Sequence, residues 1–181
     1  MVDTPKDLDR LADKLKAEMA KPETLQRLFQ TVVPHLAPDG GTLVYILAQV
    51  ERIGHLAMEL FFLNTLYGAT YDRIIVLTGS TDQPGVNPAV LEIAGPGFVH
   101  VETHDLLLPM LGFLDAGLLD MKSMHLLLVQ PQRLTRDFGR AVTSGTPFRH
   151  FSLSPGLGVH GDNWMRSNGI DPADPFVLLH V

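Results

Sequence analysis

Apolar and polar positions first recur at helical spacing, then give way to short, nearly continuous apolar runs. Thr4-Pro5-Lys6-Asp7 has the make-up of a helix start, with Thr as N-cap, Pro at the first helical position and Asp in the first turn. Leu8, Leu11, Ala12, Leu15 and Met19 then share one face. A second amphipathic helix is predicted from Pro22 through Leu25, Leu28, Phe29 and Val32, stopped by Pro34. Residues 1–38 therefore read as an N-terminal helical appendage, used for packing or as an arm for a partner.

After Pro38-Asp39-Gly40-Gly41 the pattern changes. Residues 42–48 (TLVYILA) form an apolar run of the kind that a strand buried on both faces requires. A helix is expected from His55 to Tyr67, ended by Gly68, and a second buried strand over residues 73–77 (RIIVL). The polar, Gly- and Pro-rich loop 78–85 leads to Asn87-Pro88, which caps a short helix reaching Ala94. A third strand is predicted over residues 98–101, a helix over 105–114, and a fourth strand over 125–129 (HLLLV). Residues 131–155 fit no single pattern. A helix over 162–167, stopped by Asn168-Gly169, and a last strand over 176–180 (FVLLH) complete the reading. Short apolar strands alternating with helices predict an α/β fold, a doubly wound, mostly parallel Rossmann-like sheet over residues 39–181.

Composition narrows the function classes. The formal net charge is −6, without a Lys/Arg cluster, so the chain lacks the electrostatic footprint of a nucleic-acid-binding protein. The absence of Cys excludes disulfides, thiolate zinc sites and Cys nucleophiles. The opening residues hold no signal-like apolar region, and the greasiest stretch, Leu106 to Leu114, is interrupted by Pro109 and Gly112 and too short to span a bilayer. A cytoplasmic protein that is not integral to a membrane is expected. The last residue, Val181, falls inside an apolar run, which reads as the final strand of the sheet or as a point where the native polypeptide continues.

In an open parallel sheet, ligands bind beyond the carboxyl ends of the strands, at a topological switch point. The first such end is Gln49-Val50-Glu51-Arg52-Ile53-Gly54-His55. A Gly there lets backbone approach a ligand, and the free N–H groups of the next helix favour an anion. Arg52 and His55 add charge and a titratable donor at the same mouth; alternatively Gly54 only makes the turn, Arg52 is solvated and His55 caps the helix. Loop 78–85, including Asp82, lies at the next strand end and lines the cleft or is plain surface. Alternation places His100, Glu102 and His104 on one side of a strand, with Asp105 nearby, as conceivable metal ligands. Residues 156–161 (GLGVHG) match G-x-G-x-x-G literally, but the acidic residue that a dinucleotide site needs about twenty positions later is absent, and a flexible loop is expected. The apolar stretch 106–114 is expected in the core, and Trp164 as a packing anchor.

The run Arg52-Ile53-Gly54-His55-Leu56-Ala57-Met58-Glu59 is similar to the RIGHLALE-type motif of a bacterial glycosyltransferase family, and more distantly to the first Gly-containing loop of heptosyltransferases and fucosyltransferase-like enzymes. Asp162-Asn163-Trp164, Gly169-Ile170 and residues 174–181 (DPFVLLHV) resemble that family's second pattern, so the likeness spans roughly residues 42–181. Two departures stand out. Leu60 replaces the Pro that follows the motif, and the Arg expected after His180-Val181 would be residue 182. The resemblance implies the N-terminal, acceptor-side half of a GT-B-like enzyme that takes a nucleotide-sugar donor and an unknown acceptor. It also implies that the donor-side domain is absent from this chain, leaving room for a second domain or a homo-oligomer as partner, and that neither metal nor cofactor is needed. By the same carry-over Arg52 and His55 are the catalytic candidates, with His55 as base or as phosphate donor. Gly54, Glu59, Asp82 and His180 are the substrate-binding candidates, although Glu59 fits a structural carboxylate equally well. The competing readings are a stand-alone Rossmann-like binding or scaffold module and a nucleotide-binding oxidoreductase fragment.

Overall fold

Two consecutive left-handed glycines, Gly40 (φ 87°) and Gly41 (φ 70°), turn the chain into its sheet. Gly41 accepts a backbone hydrogen bond from Asp72 at 2.9 Å, and a Cβ on it would stand 2.5 Å from the Asp72 carboxylate. Among the described residues no other glycine combines that backbone angle with that approach. The computed structural model describes residues 5–50, 53–82, 89–92, 97–149 and 155–173. Among them run helices α1 (Pro5–Met19) and α2 (Pro22–Val32), strand β1 (Thr42–Ile46), helix α3 (Ile53–Tyr67) and strand β2 (Arg73–Thr78). These are followed by α4 (Ala89–Glu92), β3 (Phe98–Glu102), β4 (Gly117–Asp120), β5 (His125–Leu128), α5 (Pro131–Thr143) and α6 (Pro155–Ser167).

The five strands form one sheet in the order β3-β2-β1-β5-β4. β1 is parallel to both neighbours, with Val44 level with Ile75 of β2 and Leu126 of β5. β3 extends the parallel run, while β4 pairs antiparallel with β5 at the other edge. Strand order thus reverses at β1: the chain winds outward through β2 and β3, crosses to β4 at the far edge and returns through a hairpin as β5. The fold is the expected mostly parallel, doubly wound, Rossmann-like α/β sheet.

Alternation along the strands gives each face its own core. Leu43, Tyr45, Ile74, Val76 and Leu127 face α3 and α5. Val44, Ile46, Ile75, Leu77, Leu126 and Leu128 face the opposite side, where Leu15 of α1 and Leu28 and Val32 of α2 complete the packing. The two N-terminal helices therefore form one layer of the domain's core. Arg73 holds the exit of α2 in place, donating to the carbonyls of His35 (2.8 Å) and Leu36 (3.1 Å).

Several local expectations are corrected, and two elements appear where none was expected. The stretch 105–114 is not a helix: Asp105 accepts from the backbone N–H of Leu107 at 2.8 Å, and a single 3-10 segment, Pro109–Phe113, follows. Pro109 removes a donor that an α-helix would need, and a short tight turn tolerates the loss. Leu108, Leu111 and Leu114 do enter the core as expected, whereas Leu106 is 88% exposed. Strand β4 was hidden in a leucine-rich run. Its hairpin with β5 turns through Lys122 (φ 67), a positive φ without glycine. The unpatterned region after residue 131 is helix α5, opened by Pro131 at its start. Helix α6 begins at Pro155, seven positions before the expected start, so residues 156–161 are helical and not a loop. An i,i+4 approach of Arg166 to Asp162 (3.6 Å) supports that helix, and Trp164, expected as a packing anchor, is 60% exposed. The predicted last strand lies outside the described residues.

Candidate functional site

The sheet's order reverses at β1, so the crevice beyond the carboxyl ends of β1 and β5 is where a doubly wound fold offers a ligand site. A cavity of about 550 Å³ opens there. Tyr45, Ala48 and Gln49, on β1 and just past it, form its floor, and Glu59 enters from α3. Gln130, Pro131 and Gln132 close it from the end of β5, and Leu11 of α1 forms part of the wall. The remaining wall is Gly112 and Phe113 of the 3-10 segment. Gly112 is required by contact, not by φ, because a Cβ on it would lie 2.5 Å from the Ile46 carbonyl oxygen and 3.1 Å from Ala48.

The chemistry of this cavity centres on a buried acid pair. The Tyr45 hydroxyl donates to Glu59 Oε2 at 2.5 Å, and both residues are almost fully buried. Burial favours the neutral carboxyl and raises the proton affinity of Glu59 above the usual carboxylate range, with the Tyr45 hydrogen bond pulling the other way. Burial, then the neighbouring carboxylate, pushes the Tyr45 phenol upward. The Gln130 side-chain amide donates to the carbonyl of Phe113 at 3.2 Å and so ties α5 to the 3-10 segment.

Of the candidate site residues that the structure describes, Glu59 alone lines this cavity. Gly54 and His55 sit in the first turn of α3, with His55 one turn before Glu59 on the same face. Gly54 is exposed, and a Cβ on it would meet nothing within 4 Å among the described residues. Gly54→Ala is therefore expected to leave the fold intact and, through helix propensity, to raise stability by up to about 0.5–1 kcal/mol. Thermal unfolding checks this, and a marked fall in Tm would show that the fold itself needs the glycine. Asp82 lies exposed past the end of β2, its backbone N–H 3.3 Å from Ser80 Oγ, and does not line the cavity. Arg52 and His180 are outside the described residues.

The His100–Glu102–His104 set does not converge. His100 Nε2 lies 2.8 Å from Thr78 Oγ1, and burial lowers its proton affinity. Glu102 accepts from Thr81 at 2.8 Å, which lowers its pKa, and His104 is exposed. Among the described residues no group of three or more His, Asp or Glu side chains is placed to hold a metal ion, and no helix is long and apolar enough to cross a membrane. Gly156, Gly158 and Gly161 lie within α6, not in a loop between strand and helix, which removes the context a dinucleotide fingerprint needs.

Tyr45, Gln49, Gln130 and Gln132 were not singled out in the sequence. One signal did stand there: Glu59 is the sole acidic residue in α3, IGHLAMELFFLNTLY. A carboxylate in so apolar a helix has to find a buried partner or a ligand. Comparison with protein-family models, curated proteins and solved structures gives no match.

Proposed function

We propose that this chain is the acceptor-side domain of a nucleotide-sugar-dependent glycosyltransferase. The observation that carries the reading is the buried Glu59–Tyr45 pair lining a cavity at the switch point, one helical turn after the Arg52-Ile53-Gly54-His55 run. Sugar transfer requires a base to accept the acceptor hydroxyl's proton as its oxygen bonds to the anomeric carbon. It also requires positive charge for the nucleotide diphosphate that leaves. A carboxyl whose proton affinity is raised by burial is closer to the operating range of a general base than a solvated one. In this reading Glu59 takes the acceptor proton, Tyr45 orients it, and Arg52 and His55 answer the charge of the leaving diphosphate.

The test is transfer by the complete protein from a panel of nucleotide sugars, comparing Glu59→Gln with wild type. Gln keeps the shape and an acceptor for Tyr45 but cannot take a proton, so kcat is expected to fall by about 10²–10⁴-fold with the unfolding transition little changed. Turnover unaltered in Glu59→Gln, Arg52→Ala and His55→Ala alike would sink the proposal.

A further inference from the structure

We infer that the cavity between β1, β5 and the 3-10 segment takes an uncharged polyhydroxyl ligand, held by Gln49, Gln132 and Glu59 beside Phe113. Naming that ligand the sugar part of an acceptor rests on the glycosyltransferase reading; the ligand's chemical class rests on the lining.

The lining selects by charge. Among the described residues that line the cavity none is Lys, Arg or His, and the one carboxyl is that of Glu59. A phosphate brought here would lose its water without gaining a cation, next to a carboxyl that would repel it if ionised. The cavity therefore disfavours the phosphate-bearing part of a donor and leaves that part to be bound elsewhere.

The polar groups also exclude a purely aliphatic ligand. Among the described residues, the side chains of Gln49 and Gln132 find no hydrogen-bond partner, so each presents a donor and an acceptor to the cavity. Covering them with hydrocarbon would strip their water and leave them unpaired. Hydroxyl groups both donate and accept, as do carboxamides, and a carboxylate oxygen accepts. Phe113, 40% exposed, and Pro131 add the apolar surface that the C–H face of a sugar ring covers. The volume of about 550 Å³ lies within the roughly 300–1,000 Å³ of small-molecule sites.

Gln49 is half-buried and Gln132 exposed, so changing them leaves the packed core untouched. The experiment follows the side-chain NH₂ resonances of both residues by ¹H–¹⁵N NMR, assigned from their loss in Gln49→Ala and Gln132→Ala. The probes are lactose and N-acetylglucosamine, against glucose 1-phosphate, inorganic phosphate and uridine. The uncharged sugars are expected to shift both pairs of resonances, with affinity about ten-fold weaker in the double variant when read from other cavity resonances. Phosphate is expected to leave them unmoved. Larger shifts with phosphate or uridine, or none with either sugar at tens of millimolar, would overturn the inference. The two readings separate cleanly. Sugar binding at these amides without sugar transfer by the complete protein removes the enzyme and keeps the ligand class; transfer with silent amides does the reverse.

Discussion

Gly112→Ala is expected to lower the stability of the domain by about 3 kcal/mol in urea denaturation, a large effect for a single added methyl group. The added carbon would stand 2.5 Å from the Ile46 carbonyl oxygen and 3.1 Å from the Ala48 backbone nitrogen, both at the end of the central strand. Backbone cannot swing aside as a flexible side chain does, so the 3-10 segment has to retreat from β1. Leu108, Leu111 and Leu114, all buried around that segment, would be pulled with it. Because Gly112 and Phe113 also wall the cavity, ligand binding should weaken along with stability. Gly54→Ala, where the same methyl meets open space, is the internal contrast. An unchanged urea midpoint for Gly112→Ala would mean that Pro109–Phe113 does not lie against β1.

Tyr45→Phe is expected to cost about 2 kcal/mol near neutral pH, because it leaves the buried Glu59 carboxyl without its hydrogen-bond donor. The size of that cost should depend on pH. Burial raises the folded-state pKa of Glu59 above its ordinary value of 4.5. Its favourable contribution is therefore fully present below about pH 4.5, where the carboxyl is neutral in both states, and is lost as pH rises through the folded value. Removing Tyr45's hydroxyl removes an interaction that lowers that value, so the folded pKa moves further up and the loss extends over a wider range. The difference between Tyr45→Phe and wild type should accordingly grow from acid to neutral pH. In a Glu59→Gln background it should become flat. Urea midpoints measured across pH 4–8 read both trends, and a pH-independent cost in the Glu59-containing pair would contradict the account.

The parallel strands were legible because each is a short apolar run: Leu43, Val44 and Tyr45 or Ile74, Ile75 and Val76 fit few environments other than a sheet covered on both faces. β4 was not, since Gly117–Asp120 offers only Leu118 and Leu119 as apolar positions between a glycine and an aspartate, too few to mark a strand. Helix α6 was obscured by three glycines that lower helix propensity without forbidding the helix. For the candidate site, the sequence pointed to the strand end where the cavity opens and to Glu59, but not to the tyrosine bonded to it. Tyr45 reads as one more apolar strand residue, and only the packing of α3 on β1 brings its hydroxyl to Glu59. Gln130 and Gln132 lie far along the chain from Gln49, and they meet because the β4–β5 hairpin sets β5 beside β1. That is a property of strand order, which local pattern does not encode.

Helix α1 belongs to two structures at once: Leu15 is buried in the core beneath the sheet, while Leu11, one turn earlier, walls the cavity. Occupancy of the cavity and attachment of this helix are therefore thermodynamically linked. A ligand that touches Leu11 binds only the form with the helix in place, and by mass action it holds the helix there. The reciprocal also follows: a change that loosens α1 weakens the ligand by the same free energy, although it lies on an element that carries none of the polar groups of the site.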